Sequence, residues 1–380
     1  MVNQEYLFQK LADLGIDFFT GVPDSLLNDF CLYALSYCDK QHHIIAANEG
    51  NAVSIAAGYY LGTGKIPIVY MQNSGIGNAM NPLLSLTHQD VYSIPMILVI
   101  GWRGDPSVKD HVQHKRQGEL STALMDDMNI PYTILDKDET VAEHFEWAAK
   151  TASEISAPVA LIAKKGILSK AEKDSNYPEE GELMNREDAI DVVFNALPST
   201  TIYSATTGRA TRELHEMFEK RTLLHNREFL NVGSMGHCSS VLLGMAVACE
   251  RQFVCFDGDS AALMHLGAFT TIGTVKPKHY LHIILNNGAH ESVGGQPSAG
   301  QFVDLTTIAS AAGYHTVGGF VDNAEDLKKA VVELSKLEGP SFIDVHIRKG
   351  IRSRIPNLHV NLEELKVNLM RTLMEENGKK

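Results

Sequence analysis

Long hydrophobic runs, paired cysteines and positive charge are what this 380-residue chain has little of. No apolar run reaches the ~20 residues a membrane-spanning helix needs, so no membrane partner is expected. The five cysteines (31, 38, 238, 249 and 255) are odd in number and scattered, without metal-site spacing. A disulfide framework is therefore not expected, and each thiol reads as a small apolar filler. With 46 acidic against 33 basic residues the net charge is −13, which argues against a nucleic-acid surface. Anionic ligands must then be met by local basic groups or backbone donors. The first residues, Met1-Val2-Asn3-Gln4-Glu5, have neither a basic start nor an apolar signal core, and a cytoplasmic location is the expectation. No Gly-x-Gly-x-x-Gly follows the first strand, which disfavours a nicotinamide- or flavin-linked enzyme.

What is present is alternation. The length suits two domains. Helical spacing over 6–14, 52–61 and 141–152 alternates with β-rich runs at 43–47, 67–71, 95–100 and 158–163. After a polar, acidic stretch the alternation resumes, with strands expected near 201–205, 229–232, 252–257, 280–285 and 342–347. Helices are expected over 239–249, 324–337 and 362–376. Such a pattern predicts an α/β fold of two doubly wound parallel-sheet domains, the same architecture used twice. The expected boundaries are 1–168 for the first domain, 169–187 for a linker holding Pro178, and 188–380 for the second.

Five local patterns carry chemistry. Phe256-Asp257-Gly258-Asp259-Ser260 puts a carboxylate in a turn between a strand and a helix, and a second apolar run ends in Asn286-Asn287-Gly288. Two parallel strands ending on one sheet edge bring Asp259 and the Asn pair together. Carboxylate, amide and carbonyl oxygens suit Mg²⁺ or Ca²⁺, and an adjacent helix N-terminus suits a diphosphate. Ala205-Thr206-Thr207-Gly208-Arg209, again a strand-to-helix turn, offers hydroxyls and N–H groups to phosphate; an ordinary threonine N-cap is the plainer alternative. Glu49, after an apolar strand and before a small-residue helix, is a carboxyl group whose burial would favour its protonated, hydrogen-bond-donating form, or else a first-turn glutamate favoured by the helix dipole. Val232-Gly233-Ser234-Met235-Gly236-His237 is a glycine-rich turn before an apolar helix. Finally, Gly21-Val22-Pro23-Asp24 sets an aspartate in a turn.

Together these segments resemble the thiamine diphosphate-dependent 2-oxo-acid decarboxylases, over nearly the whole chain. The family's Gly-Asp-Gly signature stands here as Gly258-Asp259-Ser260, and its middle domain is missing. Gln72-Asn73-Ser74-Gly75-Ile76-Gly77-Asn78 and Asn286 to Gln296 resemble the two-domain branch acting on phosphonate- or sulfonate-bearing 2-oxo acids. The resemblance implies a pyrimidine-binding domain first and a diphosphate-binding domain second. It implies a cation held by Asp259, Asn287 and the Ala289 carbonyl, and a diphosphate near Thr207, Gly208, Gly258 and Ser260. Glu49 would serve the aminopyrimidine ring, the Gly233 carbonyl would take its amino group, and Met235 would wedge the cofactor into a bent shape. Asn73, Gly75 and Asn78 would line the cofactor near a subunit interface, since active sites in this family are shared between subunits; a homodimer or larger assembly follows. Asp24, His114 and, more weakly, Glu291 are candidates for supplying the proton that completes the aldehyde. The adjacent histidine pair typical of pyruvate decarboxylases is absent; His111 and His114 are separated. The implied reaction is 3-phosphonopyruvate to phosphonoacetaldehyde and CO₂, a step of phosphonate biosynthesis, with sulfopyruvate as the competing substrate and a catalytically silent paralogue as the alternative. The substrate's anionic groups would meet Arg103, Lys109, His111, His114, Lys115 and Arg116, or the segment 348–354.

Overall fold

The computed structural model of the chain describes residues 2–169, 182–350, 352, 355, 358 and 360–377. The chain divides into two compact units that meet in sequence between the described residues 169 and 182, and Val293–Gln296 groups with the first. Of the expected linker, residues 170–181 lie outside the described residues.

The first unit holds strands β1 (Phe19–Gly21), β2 (His43–Ile45), β3 (Ile68–Gln72), β4 (Met96–Gly101), β5 (Tyr132–Leu135) and β6 (Pro158–Ala163), all parallel, in the order β2-β1-β3-β4-β6-β5. The central strands β4 and β6 are buried at every position, because helices cover both faces. One face packs Phe8, Phe30 and Phe145 from helices α1 (Gln4–Asp13), α2 (Asn28–Tyr37) and α6 (Val141–Ile155). The other packs α3 (Glu49–Thr63), α4 (Ile76–Pro82) and α5 (Val112–Asp127), with Val53, Ile76 and Met125 inward. Helix α6 shows the sequence logic plainly: Val141, Phe145, Ala148, Ala149 and Ala152 fall on one stripe and are its buried residues.

The second unit repeats the plan. Its strands are β7 (Ile202–Ala205), β8 (Glu228–Leu230), β9 (Phe253–Gly258), β10 (His279–Asn286), β11 (His315–Val321) and β12 (Gly339–His346). They run parallel in the order β8-β7-β9-β10-β12-β11, which is the first sheet's order with every number raised by six. Helices α7 (Arg186–Ala196), α8 (Arg209–Lys220) and α13 (Ala324–Leu334) cover one face. The other carries α9 (Cys238–Ala248), α11 (Gly267–Val275) and α12 (Leu305–Ala312); the short α10 (Asp259–Met264) follows β9, and α14 (Leu362–Asn377) ends the described chain. Among the described residues no helix is long and apolar enough to cross a membrane.

Each sheet reverses its strand order between β1 and β3 and between β7 and β9, and again at the far edge, where β6 precedes β5 and β12 precedes β11. Parallel strands that diverge from such a point leave a crevice beyond their carboxyl ends, where α/β folds bind ligands. Asp24 follows β1 and Asn73 follows β3; Thr207 follows β7 and Asp259 follows β9. The candidate residues stand where the topology opens.

Candidate active site

In the first unit, Asn48 caps α3 by accepting a hydrogen bond from the Asn51 N–H at 2.9 Å, which makes Glu49 the first helical residue. Its side chain is buried, and Asn78 Nδ2 donates to Glu49 Oε2 at 2.8 Å. The backbone of Gly75 presses on the other oxygen: a Cβ there would stand 2.4 Å from Glu49 Oε1. Glycine at 75 is thus required by close approach, and Gly75 and Asn78 hold the glutamate from two sides. Asn73 is differently employed. Its Nδ2 donates to the Arg103 carbonyl at 2.7 Å and to Ser121 Oγ at 2.9 Å, and its Oδ1 accepts from the Arg103 N–H at 3.1 Å. Its side chain fixes the turn after β4.

Asp24 is fully buried. Its Oδ2 accepts from the Leu26 N–H at 3.0 Å, while Oδ1 makes no hydrogen bond within the protein. Burial raises its pKa from 3.8 to about 6, against the pull of the Arg103 guanidinium. His114, half-buried on α5, is pushed down to about 4 by burial and then by Arg103, so the ring is neutral at physiological pH. Arg103 itself forks onto Asp110, Nε to Oδ2 at 2.8 Å and Nη2 to Oδ1 at 2.6 Å, and reaches Ser25 Oγ at 3.1 Å. The neighbouring Trp102 is nine-tenths buried, donates from Nε1 to the Gly118 carbonyl at 2.9 Å and carries Lys164 over its ring. Of the expected anion-binding group, Arg116 pairs with Glu119 at 3.0 Å, while Lys109 and Lys115 are exposed. In the second group, Arg352 reaches Glu187 at 3.1 Å and Glu216; positions 351, 353 and 354 lie outside the described residues.

In the second unit, Asp259 opens α10 and is 2 % exposed. Burial lifts its carboxyl to about 6, with hydrogen bonds from Ser298 and the Ser260 N–H working the other way. Ser298 is the unforeseen link. Its hydroxyl donates to Asp259 Oδ2, and its N–H donates to the Gly288 carbonyl at 3.0 Å. It therefore ties the aspartate to the loop of Asn287 and Ala289. Asn287 is buried, its Oδ1 accepting from the Ala289 N–H at 3.1 Å. Asn286 is structural: its Nδ2 spans the Gly300 carbonyl and Asp344 at 2.9 and 3.1 Å. Of the two threonines after β7, Thr207 donates to the Val232 carbonyl at 2.9 Å, tying this turn to the Gly233 segment. Gly208 sits at φ +99 just before α8. Met235 lies half-buried on a loop outside the apolar cores, and Ser234 before it takes φ +51.

Glu291, the weakest of the proton candidates, is locked in a buried ion network. Arg186 donates from Nη1 to Glu291 Oε2 at 2.7 Å and grips Glu213 from Nε at 2.5 Å and Nη2 at 2.8 Å, while the Gly350 N–H holds Glu291 Oε1 at 2.5 Å. No local motif announces Arg186, because its partners stand 27 and 105 residues away.

A bound diphosphate and hard cation fit these residues on one observation: the hydroxyls of Thr206 and Ser260, at the ends of adjacent strands β7 and β9, are buried without a protein partner. Ser260 adjoins the buried Asp259 in α10, and Thr206 precedes the N-terminus of α8. Unpaired buried donors next to oxygen ligands are what a phosphate and a divalent ion would satisfy.

Comparison with known proteins gives the family. The family profile "Thiamine pyrophosphate enzyme, N-terminal TPP binding domain" matches residues 1–127, and "Thiamine pyrophosphate enzyme, C-terminal TPP binding domain" matches residues 206–345. Phosphonopyruvate decarboxylase of Streptomyces viridochromogenes is 31% identical over 92% of this chain and 89% of its own. The protein of that name from Streptomyces hygroscopicus is 30% identical over 92% and 88%. Sulfopyruvate decarboxylase of Methanosarcina acetivorans is 27% identical over 97% of each chain.

Proposed function

From the premise that this chain belongs to the thiamine diphosphate-dependent 2-oxo-acid decarboxylases, we propose that its substrate is 3-phosphonopyruvate and its products are phosphonoacetaldehyde and CO₂. The observation that carries this reading is the match, at 31% and 30% identity over 92% of the chain, to two proteins named for that activity. Thiamine diphosphate, when bound, supplies the electron sink that decarboxylation requires. The chain's own residues bind and orient it. Asp259, Asn287 and the Ala289 carbonyl would hold Mg²⁺, and Thr207, Gly208, Gly258 and Ser260 would receive the diphosphate. Glu49, fixed by Asn78 and the Gly75 backbone, would serve the aminopyrimidine ring; the Gly233 carbonyl would take its amino group, and Met235 would support the cofactor's bent shape. Asn73 supports this side through the turn it fixes. Pyrimidine-side and metal-side residues belong to different compact units, in keeping with a homodimer or larger assembly that shares its sites.

Asp24 holds the proton delivered to product, and neutral His114, which shares the neighbouring Arg103 and Asp110 charges with it, is the second candidate. A buried carboxyl with a raised pKa favours the folded state while protonated: that contribution is full below 3.8 and is lost as pH rises through about 6. The same sign governs turnover. kcat/KM is expected to fall as pH rises through the Asp24 titration, and Asp24→Asn removes that limb while lowering kcat by about 10²-fold or more. A pH–rate profile unchanged in Asp24→Asn would take Asp24 out of the reaction.

The substrate assignment is tested by CO₂ release and coupled aldehyde detection on the full chain with Mg²⁺ and thiamine diphosphate. kcat/KM for 3-phosphonopyruvate is expected to exceed that for sulfopyruvate by at least about tenfold. The reverse ratio would assign the sulfonate, which the relative from Methanosarcina favours. No turnover of any 2-oxo acid with cofactor bound would mark a silent paralogue.

A further inference from the structure

Away from the active-site residues, three side chains converge without a task in the reaction. His215 lies on α8, His225 in the loop that follows, and Glu228 opens the edge strand β8. Both imidazoles aim Nδ1 at one carboxylate oxygen, Glu228 Oε1, His215 at 2.8 Å and His225 closer still. The potential ligand atoms of all three lie within 4.8 Å of one another. The second carboxylate oxygen, Glu228 Oε2, is buried and has no hydrogen-bond partner, in a residue only 1% exposed.

We propose that His215, His225 and Glu228 form a binding site for a divalent transition-metal ion of the Zn²⁺ type, separate from the cofactor's cation. Donor chemistry carries the distinction. Two imidazole nitrogens and one carboxylate suit Zn²⁺ or Co²⁺, whereas Mg²⁺ takes oxygen ligands. Three protein ligands leave a fourth tetrahedral position for water, and the half-exposed His225 gives the ion a route from solvent. An outer carboxylate is also in place: Glu219 Oε1 stands 3.8 Å from His215 Nε2, the ring nitrogen that carries the proton when Nδ1 binds metal. Hydrogen bonding alone accounts less well for the cluster, because it loads two donors on one oxygen of Glu228 and leaves the other buried and unpaired. A bound ion would pin α8 to the outermost strand of its sheet.

The test uses the full chain, stripped with chelator and then saturated with Mg²⁺ and thiamine diphosphate. Added Co²⁺ is expected to give the intense visible d–d bands of a tetrahedral site at one ion per chain. Zn²⁺ at a hundredfold excess over Kd is expected to raise the melting temperature by about 5 °C. His225→Gln, a change at a half-exposed ring, is expected to abolish both effects while decarboxylation and circular dichroism stay unchanged; His215→Gln serves as the second variant. A weak octahedral spectrum, no spectrum, or the same tetrahedral bands in His225→Gln would overturn the site.

Discussion

Glu49→Gln is expected to lower kcat by about 10²–10⁴-fold, the range of a lost general acid–base group, with the fold intact. The physical case rests on how little else changes. Glutamine keeps the size of glutamate, so the gap against the Gly75 backbone stays filled. Turned with its carbonyl toward Asn78, the new amide keeps the hydrogen bond now made at 2.8 Å. The Asn48 cap of α3 does not involve the side chain at 49. What disappears is a group able to exchange a proton with the pyrimidine. Steady-state kinetics beside circular dichroism and a cofactor titration check this. A near-normal rate would remove Glu49 from the mechanism; an unfolded variant would make it a structural residue.

Arg186→Met is expected to cost about 3–5 kcal/mol of stability, because it strands two carboxylates in a buried site. The arginine, Glu213 and Glu291 side chains are only 10%, 3% and 5% exposed. Burial alone would depress the guanidinium's pKa, but Glu213 and then Glu291 outweigh it and hold the charge firmly in place. Denaturant unfolding reads the loss as a lower midpoint at constant slope. Adding Glu213→Gln to Arg186→Met is expected to restore part of the stability, since the penalty comes from the uncompensated charges. Glu291 follows the Asn287–Ala289 loop by two residues, so Mg²⁺-dependent cofactor retention is expected to weaken as well. A loss under 1 kcal/mol with unchanged cofactor affinity would contradict the reading.

Both effects depend on contacts of very different legibility. The two sheets were readable because the central strands are continuous apolar runs: β9, β10 and β12 lie within a residue or a few of their expected positions. Strand β1 was missed, since three residues carry no period. β5 is half-exposed along most of its length, and β11 carries Gly318 and Gly319 with a mostly exposed pattern, so neither stood out as apolar. Helix α7 begins at Arg186, within the stretch expected to link the domains, because its polar first turn resembles linker composition. Among the candidate residues, Asp259, Asn287, Thr207 and Glu49 stood out because turn chemistry demands particular residues at fixed local spacing. Ser298 and Arg186 were invisible because what they do depends on partners far away in sequence. Arg103 read as a free cation for substrate; Asp110, seven residues on, grips it through two nitrogens. Asn73 read as a cofactor ligand; its side-chain amide bonds the Arg103 backbone after β4 and Ser121 on α5.

That turn brings one practical gift. The chain has only two tryptophans, and Trp102 is shielded beside Arg103 while Trp147 on α6 is 36% exposed. The pair differ in solvent access, so a soluble quencher will silence the outer fluorophore first. What remains is a label-free optical reporter in a turn whose Gly101 packs on the Asp24 carboxyl and whose Gly104 packs on the His114 backbone, so stopped-flow fluorescence reads any change there.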